Sequence, residues 1–125
     1  MNVIDSSGWL EYFTDGENAV FFAPAIENPD NVIVPTISLF EVFKRILVDR
    51  NRDDALEAVA LMKEGRVVEL DDSLALLAAE LSHELKLPLA DSIILATARD
   101  CSATLWTQDA HFKDLVDVKY IAKSY

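Results

Sequence analysis

Four acidic residues lie where the chain is otherwise apolar: Asp5 closing MNVID, Glu41 inside ISLFEVFK, Asp91 inside LPLADSIILATA and Asp109 closing TLWTQD. A carboxylate is costly in apolar surroundings unless it is paired, so the recurrence asks for a cause beyond solubility. Brought together, such groups repel: a like-charge pair about 4 Å apart costs roughly 1 kcal/mol in water and roughly 4 kcal/mol near a protein surface. A divalent cation removes that repulsion. Hard oxygen donors with few histidines match Mg²⁺ or Mn²⁺, which also bind phosphate oxygens, activate water and neutralise the charge that develops in phosphodiester cleavage.

Each acid also has a local use. Ser38-Leu39-Phe40-Glu41 fits a capping box, in which Glu41 bonds back to the backbone at Ser38. Asp91 near a helix start is favourable to the helix dipole, and Asp109 fits the cap of a short helix that follows it. Asp5 has the weakest local explanation, because Ser6 or Ser7 serves equally well as a cap. A capping residue is still free to be a ligand, so these uses do not compete with a shared site.

The elements that must position the acids follow from periodicity and punctuation. Residues 2–5 form a short apolar strand that turns through Ser6, Ser7 and Gly8 into a helix over 8–13, followed by an apolar-faced helix over 17–26 that Asn28 and Pro29 end. NVIVP, 31–35, is a continuous β-branched run of the kind buried on both faces. Helices are expected over 38–50 and 52–64, a strand over 66–70, and helices from Asp72 or Ser73 to Lys86 and from Pro88 to Asp100. TLWTQ, 104–108, is a fourth strand, 111–115 a short helix and VKYIA, 118–122, a fifth strand. Alternation of this kind calls for a three-layer α/β fold, a central parallel sheet of four to five strands with helices on both faces. Ligand sites of such sheets lie beyond the carboxyl ends of the strands, where Asp5 and Asp109 fall; Glu41 and Asp91 approach from adjoining helices.

With these segments in order, NVIDSSGWLEYF, TISLFEVFK, LPLADSIILATARDCSATLWTQDAHF and VKYIA, the chain resembles a PIN-domain protein. Within that family it is similar to the small VapC-type ribonuclease toxins of prokaryotic toxin–antitoxin pairs, over nearly its whole length. The resemblance implies one PIN-like domain over 1–125 and a metal-dependent endoribonuclease. Asp5, Glu41, Asp91 and Asp109 would be the quartet holding Mg²⁺ or Mn²⁺, Asp5 and Asp91 foremost as direct ligands, with Ser7 and Thr107 as the hydroxyls beside it. It also implies an RNA substrate, a cognate antitoxin and a homodimer. The chain departs from the family at His111, where many relatives carry another acid two residues after the fourth; this weighs against a fixed second metal, and Asp114, the nearest substitute, reads as solvent-facing. Lys44 and Arg45, three and four residues after Glu41, are weak candidates for phosphate contacts, with plain solvation as the alternative. His83 and His111 make no metal spacing with each other and read as surface or packing residues.

Bulk properties set the frame. The 125 residues suit one domain with a real core, since 51% are hydrophobic and Gly and Pro are few. The lone Cys101 and a start without a basic-then-apolar leader point to a reducing cytoplasm, and the apolar runs fall short of the ~20 residues that cross a bilayer. A net charge of -11 opposes the basic footprint of a freestanding nucleic-acid binder, so RNA would need a local basic patch or bound cations. The aromatics Trp9, Tyr12, Phe13, Phe21 and Phe22 serve the core or a groove for a partner. Other readings are a non-catalytic binding module, a solitary RNA-processing nuclease and an Asp-based phosphotransfer protein. Against the last, Ser7 stands where a haloacid-dehalogenase-like phosphatase wants a second Asp, and TLWTQ ends without the Lys of a receiver domain.

Overall fold

The computed structural model describes residues 1–123. Five strands, β1 (Asn2–Ile4), β2 (Val32–Pro35), β3 (Arg66–Val68), β4 (Thr104–Thr107) and β5 (Val118–Tyr120), form one parallel sheet in the order β3-β2-β1-β4-β5. The first two crossovers carry helices α1 (Ser6–Phe13), α2 (Ala19–Ile26), α3 (Thr36–Asp49) and α4 (Arg52–Met62). The third carries α5 (Asp72–Leu85) and α6 (Leu89–Asp100). The direction of travel across the sheet reverses between β1 and β4, which leaves a crevice at their carboxyl ends.

Strand alternation sorts the core into two layers. Val3, Ile33 and Leu105 point to one face, where Leu81, Ile94 and Leu95 of α5 and α6 cover them. Ile4, Val32 and Val34 point to the other, against Trp9, Phe22, Val42 and Met62 of α1 to α4. All four residues of β2 are buried, as its unbroken apolar run requires. Among the described residues no helix is long and apolar enough to cross a membrane.

Several boundaries differ from expectation for identifiable reasons. The first helix begins at Ser6 rather than at residue 8, because Asp5 itself is the cap and its side chain accepts the Ser6 N–H. The third begins at Thr36, directly after Pro35, so Ser38 lies inside the helix with its buried hydroxyl unpartnered. The capping box weighed as the alternative use of Glu41 therefore does not form. Residues 111–115 make no α-helix; the chain there takes a single 3₁₀ turn, Ala110–Phe112. The third and fifth strands are shorter than expected, ending at Val68 and Tyr120.

Gly8 sets how closely the first helical layer approaches the sheet. A Cβ added there would lie 2.6 Å from the Phe22 ring and 2.7 Å from Ile4 Cγ2, two side chains with no exposure and no room to retreat. Gly8→Ala is expected to destabilise the chain by about 1–3 kcal/mol in urea denaturation, despite the better helix propensity of alanine. An unchanged midpoint would show that this layer has slack.

Candidate active site

Asp5 follows the central strand at its carboxyl end and is only 3% exposed. Its backbone N–H prolongs the ladder by donating to the Trp106 carbonyl at 2.9 Å, which pins the residue beside β4. Three donors converge on its carboxylate. Ser6 N–H reaches Oδ1 at 2.8 Å, while the Ser7 and Thr107 hydroxyls reach Oδ2 at 2.9 Å each. Burial nevertheless dominates: it pushes the Asp5 carboxyl up from its ordinary 3.8 to about 6, the Ser7 and Thr107 hydrogen bonds pull it back, and Asp91 and Asp109 add repulsion.

Asp109 is held by the same hydroxyl. Thr107 Oγ1 accepts the Asp109 N–H at 2.9 Å while donating to Asp5, so one side chain spaces the carboxylates at the ends of two adjacent strands. Asp109 Oδ1 accepts the His111 N–H at 2.9 Å and caps the 3₁₀ turn, as its position after the strand suggested. Asp91 comes from the other helical layer, in the first turn of α6, where the positive end of the helix dipole favours a carboxylate. Glu41, on α3, accepts the Ser6 hydroxyl at 2.7 Å through Oε1. Freed from the capping box, it is tethered instead to the residue after Asp5.

The imidazole of His111 is exposed, as expected of a surface group, and it also reaches the cluster. Its Nδ1 is 2.9 Å from Asp91 Oδ2 and 3.1 Å from Asp109 Oδ1. With only carboxylate oxygens facing it, Nδ1 carries the proton. The hydrogen bond to Asp91 and the charge of Asp109 raise the His111 pKa. Burial raises that of Asp91, the His111 bond lowers it and the Asp109 charge raises it again. The signal in sequence was the offset, since His111 stands two residues after Asp109, where the resemblance implies another acid.

Among the described residues, Asp91, Asp109 and His111 each offer a donor atom within 4.8 Å of the other two, and Asp5 and Glu41 flank them closely enough for their charges to be felt. A site with this surplus of oxygen donors and this unrelieved repulsion suits a hard divalent cation. Lys44 and Arg45 line a groove with Ile37, Phe40, Glu41 and Ala90. Lys44 Nζ lies over the Phe40 ring and Arg45 Nε bonds Asp49 Oδ2 at 2.8 Å, one turn further along α3. Asp114 is exposed in a turn. Sequence reasoning missed Ser6, which holds Glu41, and a buried pair behind the site: Asn18 Nδ2 donates to Gln108 Oε1 at 2.9 Å, and Gln108 Nε2 to the Ser7 carbonyl at 3.3 Å.

Comparison with known proteins agrees with this architecture. The family model described as PIN domain matches residues 3–118. Among solved structures, a toxin–antitoxin complex from Klebsiella pneumoniae superposes with a TM-score of 0.80 at 22% identity, covering 95% of this chain and 96% of that one. VapC20 of Mycobacterium tuberculosis, a toxin that cleaves the sarcin–ricin loop, gives 0.74 at 18% identity over 90% and 93% of the two chains. VapBC2 of Rickettsia felis, bound to a DNA fragment of its promoter, gives 0.74 at 12% identity over 97% of each. No curated protein matches the chain.

The raised Asp5 pKa carries a stability consequence. The folded chain holds this proton more tightly than the unfolded one, so without metal the Asp5 contribution is most favourable below pH 3.8 and is lost as pH rises through about 6. Asp5→Asn is therefore expected to stabilise the metal-free chain at pH 7 by at most about 3 kcal/mol, a gain that shrinks to nothing near pH 4. Paired urea titrations of the two proteins across that range measure it, and a gap independent of pH would contradict the assignment.

Proposed function

The chain belongs to the PIN-domain family, and from that premise we propose that it is a metal-dependent endoribonuclease, the toxin of a type II toxin–antitoxin pair. The observation that carries the reading is the gathering of Asp5, Glu41, Asp91 and Asp109 at the carboxyl ends of β1 and β4, where a parallel sheet presents its ligands. The likeness to structures described as toxin–antitoxin complexes, over nearly the full length, supports the toxin assignment.

In this reading Asp5, Glu41, Asp91 and Asp109 are catalytic and hold Mg²⁺ or Mn²⁺. The bound ion would activate water and neutralise charge on the scissile phosphate. Ser7 and Thr107 fix the rotamer of Asp5, and Ser6 fixes that of Glu41, so that neither carboxylate needs to reorganise when RNA arrives. In this reading Glu41, on the rim of the groove that Lys44 and Arg45 also line, would orient the attacking water, and those two side chains would meet the flanking phosphates. The bound cation, with these side chains, would lessen locally the repulsion of a chain with net charge -11. The protein acts in the cytoplasm as one PIN-like domain over 1–125, assembles as a homodimer and is silenced by a cognate antitoxin.

The purified chain, freed of any antitoxin and given Mg²⁺ or Mn²⁺, is expected to cut RNA, and chelation to abolish cutting. Asp5→Asn and Asp91→Asn should each lose about 100-fold or more of the cleavage rate while keeping the fold. Full activity in either variant, or none in the parent across tRNA, rRNA and mRNA, would overturn the reading.

A further inference from the structure

We infer that His111 is itself a ligand of the divalent cation and that its nitrogen tilts the site towards Mn²⁺ over Mg²⁺. The inference rests on the metal-dependent reading above and adds the identity of a ligand and of the ion.

Geometry supplies the first reason. Ligands bound at about 2.1 Å in octahedral coordination stand about 3.0 Å apart along each edge of the octahedron. His111 Nδ1 lies 2.9 Å from Asp91 Oδ2 and 3.1 Å from Asp109 Oδ1, so it is already spaced from each as one vertex is from its neighbour, and all three donors lie within 4.8 Å of one another. Without a metal, Nδ1 shares its one proton between two carboxylate oxygens at nearly equal distance; a bound cation would displace that proton and take its place. A cation bonded to all three atoms serves each of them.

The ring is also delivered rather than left to wander. His111 donates its backbone N–H to Asp109 Oδ1 at 2.9 Å, within a 3₁₀ turn whose next residue, Phe112, has no exposure and anchors the turn in the core. Asp91 arrives independently from α6. Two separate elements thus meet at one point, and the nitrogen's approach is set by a bond to one of the other ligands.

Chemistry gives the direction of selectivity. Mg²⁺ takes oxygen almost without exception, whereas imidazole suits the transition metals, among which Mn²⁺ also accepts carboxylates readily. An acid at residue 111 would leave an all-oxygen site; histidine gives one nitrogen and one negative charge fewer. The exchange penalises Mg²⁺ more than Mn²⁺.

The test uses the full chain, purified free of partner, with Mg²⁺ and Mn²⁺ as the probes. Pulsed electron paramagnetic resonance of the Mn²⁺ complex should show coupling to a directly bound nitrogen, absent in His111→Ala and His111→Asp. Calorimetric titration should give a preference for Mn²⁺ over Mg²⁺ that falls about tenfold in His111→Asp, with the fold of the variants checked by circular dichroism. A parent Mn²⁺ complex without nitrogen coupling overturns the inference and leaves the nuclease reading standing, as does a preference unmoved by His111→Asp. Binding of neither ion at millimolar concentration overturns both.

Discussion

Asp5 is an ion sunk at the end of the central strand, and water reaches only 3% of it. Three hydrogen bonds do not fully replace the lost hydration, and two further carboxylates stand near enough to raise its pKa. The neighbourhood is arranged around that deficit. Thr107 donates to Asp5 and accepts from the Asp109 backbone, Ser6 offers its N–H to Asp5 and its hydroxyl to Glu41, and His111 spans Asp91 and Asp109. Each of these groups lowers the repulsion without ending it, and what remains is a negative field that suits a cation.

The sheet makes this arrangement possible. Reversal of strand order between β1 and β4 leaves the carboxyl ends of two adjacent strands without a helix across them, so residues there project into a crevice instead of a core. Helices from both layers then reach the same point, α3 with Glu41 from one face and α6 with Asp91 from the other. Close packing at Gly8 and the buried Asn18–Gln108 pair hold the first helical turn and the end of β4 in register. The site is thus an edge feature of a rigid frame, its carboxylates fixed by backbone that the core immobilises.

His111 stands in the same frame, within reach of two of the carboxylates. Residue 111 lies on a turn that Asp109 caps and Phe112 anchors, so whatever side chain stands there enters the cluster. An acid would add charge to a place that already has too much. An imidazole relieves some of that charge when protonated and offers nitrogen to a metal when not.

Much of the fold was legible from the chain alone because its signals are local. The β-branched run NVIVP, the 3.6-residue spacing of Leu74, Ala78 and Leu81, and the alternation of helix with strand required a covered parallel sheet, and the four acids were legible as residues of strand ends and adjoining helices near one edge of it. What only the tertiary structure decided was which side chains share partners. Glu41 had a plausible cap within its own helix, but α3 starts two residues early and the carboxylate bonds Ser6 instead, 35 residues away in sequence. His111 is at the surface as read, but its partner Asp91 lies 20 residues before it in sequence, and only the fold brings the two together. Periodicity records which face of an element is buried, a property of consecutive residues; the pairing of polar groups depends on contacts between segments that meet only when the sheet closes.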